Sequence, residues 1–233
     1  MNSAQLNKTR SYIIYAIGEI LLITIGILIA LSVNNWNKQQ TAKEIEIKTL
    51  GEIHSGLTND LKDLQFSLSI YKNGKKSSDI LMNHMNNRLP YNDSLDKHFG
   101  KIGLFAVLSV RTGPFETLKS RGMETITNDS LRLKIANLYD LDYNTIIELQ
   151  KLHINYYSVI RKMFLTKFKN LTAFVSASPI NYEELLNDNV FQNDIKLSSD
   201  EISYSINTYE STITKCKDLL FAIEEEIDRL NNN

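Results

Sequence analysis

Residues 12 to 33 are almost wholly apolar, and Glu19 is the one charge among them. A helix of that length rises roughly 33 Å, close to the hydrocarbon thickness of a bilayer. No later segment is both long and apolar enough to repeat this. The pattern predicts one N-terminal membrane helix (residues 12–33), preceded by a short tail (1–11). A polar interfacial segment follows (34–40), and then a soluble body (41–230) of 190 residues, enough for its own core.

A cleaved signal peptide is the main competitor. Its apolar core is shorter and ends in a small-residue cleavage site. Here the run ends in Ser32-Val33-Asn34-Asn35-Trp36-Asn37. Trp36, with Tyr12 and Tyr15 at the other end, fits the aromatic belts of a membrane–water interface.

Beyond residue 40 the apolar spacing becomes helical. Leu50, Ile53, Leu57, Leu61, Leu64, Leu68 and Tyr71 recur every three or four residues and predict a long amphipathic helix. No Pro or Gly separates it from the membrane segment, so the two are expected to form one nearly continuous rod. Asn73-Gly74 reads as its stop, with a short separate helix over 78–87. Asn92-Asp93-Ser94 predicts a cap for a short helix closed by Gly100. Residues 101–110 are apolar but not periodic, and fit either a helix or a buried extended piece. Thr112-Gly113-Pro114 reads as a break, followed by a short helix over 115–121 with Gly122 as a left-handed terminator. Asn128-Asp129-Ser130 opens a long helix running to about residue 171. Its predicted stripe is Leu131, Ile135, Leu138, Leu141/Asp142, Thr145, Leu149, Leu152, Tyr156, Val159 and Met163. A short helix near 182–189 and a last long one over 199–230 complete the reading. Each stripe must be buried against another, so the expected fold class is all-α, with the membrane helix continuing into an antiparallel helical bundle.

Composition changes this picture little. The tail holds Lys8 and Arg10; beyond Glu19 the remaining 24 basic and 26 acidic residues nearly balance. That excludes a strongly basic nucleic-acid surface. The short basic tail and the large, slightly acidic body favour a cytoplasmic N terminus and a periplasmic body in the inner membrane, although Lys38, Lys43 and Lys48 lie on the far flank. Cys216 is the lone cysteine and is silent about compartment.

Two stretches carry a family resemblance. One is Tyr15-Ala16-Ile17-Gly18-Glu19-Ile20, then Ile25-Gly26-Ile27-Leu28-Ile29-Ala30-Leu31 and Asn34-Asn35-Trp36-Asn37. The other is Thr117-Leu118-Lys119-Ser120-Arg121-Gly122, then Ile126-Thr127-Asn128-Asp129-Ser130-Leu131-Arg132 and Ile135-Ala136-Asn137-Leu138-Tyr139. In this order and spacing the chain resembles a family of uncharacterised bacterial inner-membrane proteins, classed only as a domain of unknown function. Arg121 departs from it, standing where a smaller residue is expected. The resemblance implies one anchor and a helical, periplasmic domain, and no activity.

Glu19 is the sharpest candidate for function. A charge at the centre of a membrane helix costs roughly 2.5 kcal/mol or more, so such groups usually face a partner or water. Ala16, Glu19, Ile23, Gly26, Ala30 and Val33 share one stripe, and Gly26-x-x-x-Ala30 is a small-x-x-x-small pair that lets helices approach closely. This predicts a helix–helix seam; ion coupling through Glu19 and simple tolerance of the charge are its rivals. Asn128, Asp129 and Arg132 mark a capped helix start, or else a partner surface; Glu116, Glu124 and Asp129 are the acids within reach of Arg132. Phe164, Phe168, Phe174, Tyr182 and Phe191 read as core filling, with a peptide groove as the alternative.

His54, His84, His98 and His153 show no metal-binding spacing, and no cysteine cluster accompanies them. Nucleophile-elbow, phosphate-loop and dinucleotide motifs are missing. The expectation is therefore no catalysis, no cofactor and no metal. The chain reads as a scaffold or accessory protein that works through self-association or another membrane protein, with the bilayer as its first partner. An extracytoplasmic ligand-sensing bundle is the alternative. Against it, the short tail leaves no cytoplasmic output domain.

Overall fold

A computed structural model describes the backbone of residues 3–232 and the side chains of residues 15–232. The protein is mostly helical, with one small β-hairpin. It divides into two compact units, residues 1–48 and 49–233. The first helix, α1 (Ser3–Asn86), contributes to both.

In the first unit every described side chain from Tyr15 to Gln39 is exposed. Thr24 and Thr41 return their hydroxyls to the carbonyls one turn back, Ile20 O at 2.8 Å and Asn37 O at 3.1 Å. The polar 34–40 stretch is helical, as the absence of Pro and Gly led us to expect.

In the second unit α1 passes through Asn73-Gly74 without stopping. The stop and the separate 78–87 helix were misread. Gly74 costs a helix roughly 1 kcal/mol relative to alanine, but Ser77, Ser78, Leu81 and Met85 beyond it are buried, and that packing outweighs propensity. The helix ends at Asn86, where Arg88 takes φ +48° ahead of Pro90. Leu50, Ile53, Leu57, Leu64 and Tyr71 are fully buried.

A 3-10 turn capped by Asn92 leads into α2 (Asp96–Phe99). Residues 104–112 form no regular element, with Ala106 and Leu108 buried. Thr112-Gly113-Pro114 starts a helix rather than breaking one: α3 (Gly113–Arg121) carries its proline in the first turn, where a missing N–H costs nothing. Gly122 closes it at φ +107°, ψ 129°, a glycine-favouring conformation but not the left-handed helical one expected.

The long helix after Asn128 is real but interrupted. It consists of α4 (Asp129–Asn137), one π turn (Leu138–Asp142) and α5 (Tyr143–Lys167). In the π turn the Tyr143 N–H reaches back five residues to Leu138 O. One extra residue per turn moves the buried face forward by one. The inward positions are Tyr143, Ile146, Gln150, His153 and Ile160, each one residue after the predicted stripe. Leu141, Leu152 and Val159, expected inside, are exposed.

The chain then turns into a hairpin, β1 (Phe168–Thr172) and β2 (Ser176–Pro179), where a helical end was expected. Phe168 pairs with Pro179 and Lys169 with Ser178; a bulge before Thr172–Ser176 absorbs a register shift. A short α6 (Tyr182–Asn187) is capped by Asn181, and α7 (Asn189–Asn232) begins ten residues before the predicted Ser199. Asp188 supplies its start by accepting the Phe191 N–H at 3.0 Å. Phe191 and Ile195 extend the buried stripe back to that point.

Within the second unit α7 lies along α1. His54 meets Glu224 at 2.8 Å, Cys216 Sγ reaches Leu57 O at 3.7 Å, and Lys72 pairs with Glu210 at 2.6 Å. Rising numbers on one helix meet falling numbers on the other, so these stretches run in opposite directions. A second cluster gathers Leu81, Phe99, Ile160, Phe168, Tyr182 and Phe191 around α2 and the hairpin.

Candidate functional site

Ala16, Glu19, Ile23, Gly26 and Ala30 recur at spacings of three and four on one face of α1. All five are exposed, and a Cβ built on Gly26 meets nothing within 4 Å. Tyr15 and Trp36 are 78% and 62% exposed. The side chain of Tyr12 lies outside the described residues. Among the described residues α1 is the one helix long and apolar enough to cross a membrane, and none of its apolar window is buried.

The second predicted group is drawn into packing. Asn128 accepts the Leu131 N–H at 3.2 Å, capping α4, and donates to Glu226 Oε2 at 2.9 Å. Arg132 joins Asp129 at 2.6 Å and donates to Ile126 O at 3.1 Å, pinning the preceding loop. Of the three acids in reach, Asp129 is the one it pairs with. Glu226 is nearly buried on α7; its hydrogen bond to Arg229 holds its carboxyl below the usual range, and the Asn128 amide assists.

Sequence reading missed a buried acid. Asp60 is fully buried on α1. Arg111, from the 104–112 segment, donates Nη1 to Asp60 at 2.8 Å and to Asp63 at 2.8 Å, and its backbone N–H to Asp60 at 3.2 Å. Burial raises the Asp60 pKa, and the Arg111 contacts only partly offset it. Beside it lie Tyr139, Tyr143 and Cys216, all buried. Burial pushes the Cys216 thiol up to about 11, which leaves it protonated and unreactive at neutral pH. The Tyr139 hydroxyl has no hydrogen-bond partner among the described residues. This cluster ties the 104–112 segment to α1. Only the spacing of Asp60 on an otherwise apolar stripe hinted at it.

The histidines are also held by the fold. His98 Nδ1 lies 3.1 Å from Ser77 Oγ, and His153 Nδ1 lies 3.4 Å from the Tyr71 hydroxyl. No group of three or more potential metal ligands occurs among the described residues. Burial lowers the pKa of both His98 and His153, and nearby lysines add to the effect at His98. The folded form therefore resists protons that the unfolded chain accepts near pH 6.5. Their stabilising contribution is complete above that pH and is lost as pH falls through it. Thermal unfolding is expected to shift downward between pH 7 and 5, and His153→Gln to remove part of that slope. Parallel slopes for the two proteins would refute the assignment.

Of the aromatic set, Phe168, Tyr182 and Phe191 are core residues. Phe164 packs against that core, 5.0 Å from the Phe168 ring, and with Phe174 also lines a pocket between α5 and the hairpin.

Fold and site define a class: a mostly helical protein whose N-terminal helix has the length and composition of a membrane span. The sequence profile of DUF6090, a family of unknown function, matches residues 19–203. The chain belongs to that family. No curated protein and no solved structure matches it.

Proposed function

We propose that this protein is a membrane-anchored scaffold or accessory subunit, working through self-association or through another membrane protein. In this reading residues 12–33 lie in the inner membrane with the N terminus cytoplasmic. The second unit is an antiparallel helical bundle in the periplasm. Neither nucleic acid, a cofactor nor catalysis enters it. One observation carries the reading: the apolar face of residues 15–33 is wholly exposed within the chain. Water would penalise that surface by roughly 25 cal/mol per Å², so lipid or another helix must cover it.

Glu19 then decides between lipid alone and a partner. Its charge sits on the same stripe as Gly26 and Ala30, where two helices can approach and share the burden. Native mass spectrometry of the full-length protein in lipid nanodiscs tests this. The wild type is expected as an oligomer or with a co-purifying membrane protein. Gly26→Ile with Ala30→Ile is expected to release monomers, and Glu19→Gln to weaken the assembly. A wild-type chain that is monomeric and alone would overturn the proposal.

A further inference from the structure

A pocket of about 190 Å³, open to solvent on one side, lies between α5 and the hairpin. Its walls include Ile102, Phe164, Leu165, Leu171, Phe174 and Ala177. A closed apolar cavity of roughly 150 Å³ takes up benzene. This pocket is of similar size but open past Leu165 and Leu171, so it suits a ring or a short alkyl chain whose polar end reaches solvent. Arg161 is the only charged residue in its lining, and no acid faces it there. Among the described residues Arg161 makes no ion pair.

The wall is held in place at a cost. Phe174, at the hairpin tip, takes φ +62°. A bulky side chain in the left-handed region is an outlier, and such strain clusters at ligand clamps. Two rings fix it: Phe105 edge-on at 6.1 Å and Tyr157 at 5.3 Å, which themselves touch at 5.8 Å. Core packing does not explain the arrangement, because Phe174 remains 37% exposed.

We propose that this pocket binds a small apolar monocarboxylate, an aromatic or medium-chain acid. Its ring or chain lies against Phe164 and Phe174, and its carboxylate sits on the Arg161 guanidinium. A planar guanidinium takes a carboxylate through two parallel N–H bonds, which adds geometric specificity to the charge pair. The inference is independent of what the membrane helix contacts.

Saturation-transfer NMR on the full-length protein in phosphatidylcholine nanodiscs tests it, with benzoate, octanoate and benzyl alcohol as probes and empty nanodiscs as reference. Benzoate and octanoate are expected to bind above the reference. Arg161→Gln should weaken both acids about tenfold or more, the equivalent of one charge-assisted hydrogen bond. It should leave benzyl alcohol unchanged. Leu171→Trp, which fills the pocket from an exposed position, should abolish binding of all three. Both variants should unfold at the wild-type temperature, since neither position is buried. Benzoate indistinguishable from the empty-nanodisc signal would overturn the proposal. So would acid affinities untouched by Arg161→Gln, or binding that survives Leu171→Trp.

Discussion

Gly100→Ala is expected to destabilise the second unit by about 3 kcal/mol, although Gly100 has an ordinary helical φ of −60°. The reason is space. A Cβ there would fall on the backbone nitrogen and Cα of Ser176, and within 2.6 Å of the Val175 carbonyl carbon. No rotamer relieves a clash with backbone; α2 and β2 must move apart. The Phe99 ring sits on that joint, 5.2 Å from Phe168 and 6.4 Å from both Tyr182 and Phe191. Separation therefore loosens the whole aromatic cluster. For a unit of this size the shift corresponds to a melting temperature lower by about 6–12 °C. Gly74→Ala is the control. Its Cβ would meet Ile202 Cδ1 at 3.5 Å, an ordinary contact, while the helix gains propensity. Thermal unfolding followed by near-ultraviolet circular dichroism should show a large drop for the first variant and none for the second. Equal melting temperatures would refute the close approach of α2 to the hairpin.

Tyr209→Ala is expected to cost about 3–5 kcal/mol, the range for removing a buried aromatic ring. Tyr209 is fully buried on α7 and packs on Tyr71 of α1 at 5.3 Å. Tyr71 in turn lies 5.6 Å from the His153 ring of α5. The layer thus joins three helices, and losing the Tyr209 ring opens a void beside Tyr71 of α1 and Gln150 of α5. The Gln150 amide, buried on α5, donates to the Tyr209 hydroxyl at 3.4 Å and would be orphaned. Tyr209→Phe keeps the ring and loses only the hydroxyl's hydrogen bonds, with Gln150 and with Ser67 and Tyr71 beside it, so it should cost about 1–2 kcal/mol. Denaturant unfolding of both variants separates ring from hydroxyl. Similar losses for the two would mean that packing in this layer contributes little.

Much of this architecture is legible in the chain because local signals and packing agree. The 50–71 stripe of α1 and the asparagine caps at 92 and 128 are examples. Residues were misread where tertiary contacts override a local signal. Gly74 is carried through by buried residues on both sides. The π turn at 138–142 has no residue of its own to announce it; its effect appears only downstream, where the inward face moves from Leu152 to His153. The hairpin is short, bulged and poor in β-branched residues, and it forms because Phe168 and Ala177 close over Phe99.

The candidate sites divide in the same way. The Glu19 stripe is visible because one helix supplies it. Asp60 and Arg111 are 51 residues apart, and Arg161 and Phe174 line one pocket through a hairpin the pattern does not predict. Asn128 shows the reverse: its capping role was readable, but its bond to Glu226 was not, since the two are 98 residues apart.

The central claim is that the N-terminal apolar stretch stays in lipid. Alkaline extraction of bacterial membranes carrying the full-length protein, followed by intact-mass analysis, tests it directly. The account predicts that the protein remains in the membrane pellet with residues 12–33 intact. A soluble product that begins beyond Trp36 would contradict it.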